Sequence, residues 1–318
     1  LAQLNFGSYK EYGDLTNRFY NRNLAGGAML DIGVYALSVM RLFMASQPAQ
    51  LEWIKEHYPE TYEGIKRRVA EGRWEPTGGM YVESDCNVPC GESFVRQFLY
   101  GNRFFRKEFG VHTRTAWLPD TFGDSWALPQ ILRKAQIDVF VTNKINWSEF
   151  TTFPYDFFLW EGPDGTRIPC VIPPSNYDPP IKLPNIVFQW EQFAQKDIVD
   201  VLPFSYGYGD GGGGPTSDMI ETGKRLRDVA GIPKCRFGRM QDCLDEMLAT
   251  CAKDKLPVWN GELYLELHRG CQTTQARTKR NNRKSELLLR DVEFLNSLAV
   301  LHNGVYEREK IDTAWKTV

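Results

Sequence analysis

Arg114-Thr-Ala-Trp-Leu-Pro-Asp120-Thr-Phe-Gly-Asp-Ser-Trp-Ala-Leu-Pro-Gln130 is the stretch on which the fold turns. A short apolar run, Ala116 to Leu118, stops at Pro119. Asp120 follows at once, and a helix-like segment opens near Leu128. A strand, a carboxylate at its C-terminal mouth and then a helix is the unit from which open α/β sheets and barrels are built, and their chemistry gathers at that mouth. On this stretch alone, a carboxylate closing a turn is the plainer reading of Asp120.

Outward from it the alternation continues. Leu51, Ile54 and Tyr58, then Tyr62, Ile65 and Val69, recur at helical spacing, with Pro59 between the two helices and Gly72 after the second. Glu92 to Phe109 is a third helix, with Phe94, Phe98, Phe105 and Phe109 largely on one side and Gly110 as its stop. Strands are expected at 74–83, broken there by a glycine turn, and at 138–142, 202–206, 235–237 and 262–266, and a hairpin pairs 157–160 with 167–172 around Pro163-Asp-Gly165. Helices are expected at 128–135, after Pro215, and at 240–251. From about Arg277 the pattern is purely helical, with Leu288, Val292, Leu295 and Ala299 on one stripe and Asn303-Gly304 closing it. A last helix begins near Arg308.

The 318 residues are ordinarily globular in composition, 42% hydrophobic and 25% charged. A net charge of −2 argues against a nucleic-acid partner. No apolar run approaches the length of a membrane span, so no membrane partner is expected. Seven cysteines, an odd number without a Cys-x-x-Cys pair, read as buried reduced thiols of a cytoplasmic protein. Aromatic residues make up 13% of the chain, nine of them Trp, which suits a large core and equally a sugar site. A homo-oligomer is left open.

Residues 1–43 read differently. Gly26-Gly27, Asp31, Gly33 and Tyr35 resemble an element of the glucose–fructose oxidoreductase-like dehydrogenases. That resemblance implies NAD(P) chemistry, but the dinucleotide-binding Gly-x-Gly-x-x-Gly unit has no counterpart in the chain.

From about Phe43 to Val318 an ordered set of motifs is similar to glycoside hydrolase family 38, the zinc-dependent retaining α-mannosidases, and most so to their bacterial and cytosolic branch. The set includes Gly72-Arg-Trp-Glu75, Gly78-Gly-Met-Tyr-Val-Glu-Ser-Asp-Cys-Asn87, Trp117-Leu-Pro-Asp-Thr-Phe-Gly123, Gly207-Tyr-Gly-Asp-Gly-Gly-Gly-Gly-Pro-Thr216 and Gly261-Glu-Leu-Tyr-Leu-Glu-Leu-His-Arg-Gly270. The resemblance implies hydrolysis of α-mannosides in an oligosaccharide or glycan. Asp120 would serve as both nucleophile and ligand of a Zn2+ ion, the pairing a retaining mechanism needs with a second carboxyl as acid/base. Asp178 is the first candidate for that acid/base and Asp210 the second. Lys144, His268, Arg269, Glu83 and Asp85 are candidate substrate contacts.

The family's His-x-Asp-x-Ala-Trp zinc motif has no counterpart here, nor does its later zinc-binding His. The expected architecture is therefore an incomplete (β/α) barrel-like α/β catalytic domain at 44–270, followed by the start of an α-helical bundle domain at 271–318. Residues 1–43 would be a dehydrogenase-like piece joined to it. A barrel lacking its first strand would leave the next strand unpaired on one side. The chain is expected to be an inactive fragment of an α-mannosidase; the alternatives are an NAD(P)-dependent oxidoreductase and a non-catalytic carbohydrate-binding fragment.

Overall fold

The computed structural model describes residues 46–176, 179–207 and 215–318. Residues 1–45, which include the dehydrogenase-like Gly-Gly element, lie outside them, as do Asp178 and Asp210.

In chain order the helices and strands are α1 (Pro48–His57), α2 (Pro59–Ala70), α3 (Gly91–Phe109), β1 (Thr115–Leu118), α4 (Leu128–Lys134), β2 (Val139–Thr142), β3 (Phe157–Glu161), β4 (Arg167–Val171), α5 (Leu183–Gln192), α6 (Ser217–Arg225), α7 (Met240–Thr250), β5 (Val258–Asn260), α8 (Ala276–Leu301) and α9 (Arg308–Thr317). They fall into two compact units, 46–172 with 252–318, and 173–251.

The larger unit is built on a five-stranded mixed sheet of order β1-β2-β4-β3-β5. β1, β2 and β4 run parallel, β3 is antiparallel to β4, and β5 is parallel to β3. All four residues of β1 and of β2 are buried. That is why Thr-Ala-Trp-Leu and Val-Phe-Val-Thr read as unbroken runs rather than alternating ones. Among the described residues β1 is an edge strand. Ala116, Leu118, Phe140, Phe158, Trp160, Ile168 and Cys170 form the core, with Phe94 and Phe98 of α3 and Leu128 and Leu132 of α4 packed into it. The Trp160 indole, wholly buried, donates to Gly261 O at 2.8 Å, so its polar edge is satisfied.

Proline sets the starts of α1 and α2, where a missing N–H costs nothing. Gly110, at φ 70°, stops α3, and its N–H returns to Arg106 O. α8 and α9 pack back on the sheet unit through Leu289, Ile311 and Trp315, which meet Tyr81 and Tyr100. The Arg96 guanidinium binds Glu293 at 2.6 Å and lies 4.2 Å over the Trp315 ring. Of the apolar stripe read on α8, Val292 packs here, whereas Leu288 and Leu295 face outward. The smaller unit gathers Ile181, Ile186 and Met219 around α5 and α6. Thr216 caps α6, its hydroxyl accepting from Met219 N.

Four expected strands are absent, and α5 was not foreseen. In 74–83, Pro76 and the positive φ of Gly78 and Gly79 break extended pairing. The segment is held from the side instead, Tyr81 N donating to Gln97 O at 2.9 Å. At 262–266 only Leu263 pairs, exchanging both backbone bonds with Asp124, and the neighbouring strand is Val258–Asn260. Residues 202–206 and 235–237 are irregular. The cysteines are free, but only Cys86, Cys170 and Cys251 are buried; the other four are partly exposed. Among the described residues no helix is long and apolar enough to cross a membrane.

Candidate active site

Asp120 stands two residues beyond the C-terminal end of β1, half-exposed. The Lys144 ammonium lies 2.9 Å from its Oδ1. Lys144 opens the turn after β2, the strand parallel to β1, so the two parallel strand mouths deliver acid and base side by side. A lysine only 3% exposed needs a partner for its charge. Its partners include the Asp120 carboxylate and the face of Trp147, whose centroid is 3.4 Å from Nζ. The Trp147 ring meets His268 edge-on at 5.9 Å, and His268 meets Phe122 at 4.8 Å. Charge and aromatic wall thus come together from three separate segments, 120–122, 144–147 and His268. Trp147 carries no signal in the sequence beyond its type; only its position three residues after Lys144 points to it.

Glu83 hydrogen-bonds the Ser46 hydroxyl at 2.8 Å. Burial pushes its carboxyl up to about 7; the Ser46 bond opposes this and the charge of Asp120 adds to it. Asp85 is committed to its own turn, Oδ1 accepting from Asn87 N at 2.8 Å and Val88 N at 2.7 Å. His268, at φ 60°, and Arg269 line a cleft on the other side of Phe122. Glu266 receives Phe150 N and Thr151 N, pinning the loop after Trp147. Burial acts to raise its carboxyl, but these backbone donors prevail and hold it below the usual range.

Asp124 was missed in the sequence as anything but a loop residue, yet it lies wholly buried beneath the Asp120 loop. Its Oδ1 accepts from Thr121 at 3.1 Å, while its Oδ2 has no well-formed partner. The nearby Cys86 thiol points to Ser84 O and offers only weak help. Burial pushes the Asp124 carboxyl up to about 7 against the Thr121 and Cys86 contacts. A carboxyl raised on folding favours the fold only while protonated. Its contribution is full below about pH 4 and is lost as pH rises through about 7. Asp124→Asn is therefore expected to melt above the wild type at pH 8, by up to about 4 kcal/mol. The gap should close towards pH 4. Thermal melts across that range check it; a gap independent of pH contradicts the buried charge.

Among the described residues no group of three His, Cys, Asp or Glu side chains is gathered that could hold a metal ion. The Asp120 carboxylate is instead paired with the Lys144 ammonium. The described residues do not make up a complete zinc site.

The site thus sets a carboxylate at a parallel strand mouth, steadied by a buried cation and faced by aromatic rings. The glycosyl hydrolases family 38 N-terminal domain matches residues 36–262, and the alpha mannosidase middle domain matches 266–318. The chain belongs to glycoside hydrolase family 38. Alpha-mannosidase G of Dictyostelium discoideum is 43% identical over 277 residues, 87% of this chain and 25% of its own length. Alpha-mannosidase 2C1 of Homo sapiens is 38% identical over 278 residues, 86% of this chain and 26% of its own. An alpha-mannosidase structure from Enterococcus faecalis shares the fold, with a TM-score of 0.69 at 21% identity over 91% of this chain and 35% of that one. The chain thus spans about a quarter of the length of the curated relatives it matches. The family match begins inside the stretch read as dehydrogenase-like, and the comparisons give that reading no support.

Proposed function

We propose that this chain carries the nucleophile half of a retaining α-mannosidase acting on α-mannosides of oligosaccharides or glycans. The observation that carries the reading is the Asp120–Lys144 pair at the mouths of β1 and β2, facing Trp147. The Asp120 carboxylate attacks the anomeric carbon as the glycosidic C–O bond breaks, forming a mannosyl ester. The leaving oxygen takes a proton from the acid/base, for which Asp178 and Asp210 remain the candidates. Water, deprotonated by the same group, then cleaves the ester and frees Asp120. Lys144 orients the carboxylate, and the aromatic wall presents a face on which a sugar ring stacks. Zn2+ belongs to the reading through the family.

The same reading divides the chain into residues 1–43, a barrel-like catalytic part at 44–270 and the opening of a helical domain at 271–318. Asp85 is kept as a substrate contact only through its neighbours. A cytoplasmic setting is supported by the free thiols. The near-neutral charge favours a sugar over a nucleic acid. Whether copies associate is a matter for sedimentation.

The chain alone is expected to bind mannose without turning it over. Calorimetry should show methyl α-mannoside bound in preference to methyl α-glucoside, and Asp120→Ala should weaken it roughly tenfold or more. An aryl α-mannoside should not be hydrolysed, with or without added zinc. Mannoside binding indifferent to Asp120 sinks the reading. Turnover lost in Asp120→Asn keeps the nucleophile and removes the inactivity. Binding that survives both the substitution and a chelator favours a non-catalytic carbohydrate-binding module instead.

A further inference from the structure

The loop that carries Asp120 is anchored at Asp124. The Asp124 backbone exchanges two hydrogen bonds with Leu263: its N–H donates to Leu263 O at 2.8 Å, and its carbonyl accepts from Leu263 N at 3.0 Å. On its other side Asp124 bridges Cys86 in parallel, and the Cys86 carbonyl accepts from Ser125 N at 3.3 Å. Asn87 closes the same seam, its Nδ2 donating to Phe122 O at 3.1 Å and to Gly123 O at 3.0 Å. Segments distant in the chain thus meet at one buried residue.

The Asp124 side chain reaches back towards Asp120. Its Oδ1 accepts from the hydroxyl of Thr121, the next residue after Asp120 and itself buried. The same hydroxyl lies 3.3 Å from the carbonyl of Leu118, the last residue of β1. Thr121 is therefore held between the strand end and the Asp124 carboxyl, with Asp120 on the short span they fix. The other Asp124 oxygen is enclosed without a well-formed partner. The titratable groups facing this carboxyl are Asp85 and the Cys86 thiol from one segment and the Cys170 thiol from β4. The charge of Asp85 opposes a second negative charge. Burial, with the Asp124 charge added to it, pushes both thiols well up, so they stay neutral. In such company a carboxylate is costly to enclose and a carboxylic acid is not.

We propose that Asp124 is a positioning residue for Asp120: through Thr121 it seats the loop that presents the nucleophile, and it does so as the neutral acid, so that losing its proton loosens the loop and weakens the hold on the sugar. The inference rests on the α-mannoside reading above. Asp124 touches no substrate; it acts on the carboxylate that does. The direction follows from linkage. With the loop seated, burial holds the Asp124 carboxyl up at about 7, whereas a loop opened to water returns it to the ordinary range near 4. The advantage of the seated loop is full below about pH 4 and is lost as pH rises through about 7, by at most about tenfold per pH unit for one proton.

Two measurements on the full chain, each made at pH 5 and at pH 8, test it. Hydrogen exchange reads the loop without any sugar. The Asp124 and Leu263 amides, after correction for the intrinsic effect of pH on exchange, should lose roughly tenfold in protection at the higher pH, and Asp124→Asn should remove that loss. Calorimetry with methyl α-mannoside should show affinity falling about fivefold or more across the same range in the wild type and less than about twofold in Asp124→Asn. Thr121→Val, which keeps the shape and removes the connecting hydroxyl, should bind more weakly at pH 5 and flatten the profile. Protection that does not change with pH in the wild type overturns the proposal, as does a loss that persists in Asp124→Asn, which would place the proton on another group. Protection that switches as expected while affinity stays level overturns the positioning role and leaves the mannoside reading standing. A loop that switches in a chain binding no mannoside at either pH overturns the mannoside reading and keeps Asp124 as the group that seats the loop.

Discussion

Gly101→Ala is expected to cost at least 3–4 kcal/mol, or to prevent folding outright, although alanine is the better helix former. Gly101 lies buried in the middle of α3, where a Cβ would sit 2.1 Å from Gly79 O and 2.6 Å from Met80 C. Both are backbone atoms, so no side chain can rotate out of the way. Relief requires α3 and the 78–81 turn to separate. That separation strains the bond from Tyr81 N to Gln97 O at 2.9 Å and the bond from Val82 N to Gln97 Oε1 at 2.9 Å. It also moves Glu83, two residues on, and the Asp85 turn that braces Asn87. Gly110→Ala is the internal comparison. Gly110 has φ 70° but nothing within 4 Å of an added Cβ, so it meets left-handed strain alone, about 1 kcal/mol. Urea melts of the two variants should therefore differ by 2 kcal/mol or more. If Gly101→Ala costs no more than Gly110→Ala, the close approach is not where the structure puts it.

Features that depend on neighbours in the chain were legible in the sequence. α1, α2 and α3 show apolar residues at helical spacing between Pro and Gly stops, and β1 and β2 are short apolar runs ended by Pro119 and Asn143. Features that depend on a distant partner were not. Residues 74–83 look like a strand by composition, but Gly78 and Gly79 serve to admit α3, a fact stored in Gly101 more than twenty positions away. Residues 262–266 alternate like a strand, yet Glu266 is drawn off to cap the backbone at Phe150 and Thr151. In the site, Asp120 was found because family-like residues surround it. Its partnership with Lys144 follows only once β1 and β2 are known to be adjacent and parallel. Asp124 matters because of what burial does to a carboxylate, and burial of a loop residue leaves no periodic trace.

The same contrast between local and distant partners sets the second large effect, that of Glu286→Ala. α3 begins at Gly91 without a side-chain cap of its own. Its N-terminus is instead completed from α8: Glu286 Oε1 accepts from Cys90 N at 2.8 Å and from the Ser93 hydroxyl at 2.7 Å. The carboxylate is thus placed where free N–H groups and the helix dipole favour a negative charge. Glu286 is only 2% exposed, and its other oxygen has the Arg283 guanidinium at 2.8 Å. Arg283 in turn donates to Val88 O at 2.9 Å, closing the circuit onto the loop before α3. Truncation leaves two donors at the helix start and a guanidinium without its counter-charge, a loss of roughly 3–5 kcal/mol. Glu286→Gln keeps an acceptor and should recover about half of that. The distinguishing readout is hydrogen exchange: the Cys90 amide and the first turn of α3 should lose protection, while the Phe98–Phe105 core of the helix keeps it. A cost under about 1 kcal/mol, or a uniform loss of protection along α3, would show that the helix start does not depend on the carboxylate. The residues concerned lie on either side of the boundary between the two family matches, Cys90 and Ser93 in 36–262 and Glu286 in 266–318. A large effect therefore means that the first helix of the middle domain is part of what folds the catalytic one. The motif-bearing segment 78–91 would be held in shape from both sides, by Gly101 pressing on one end and Glu286 capping the other.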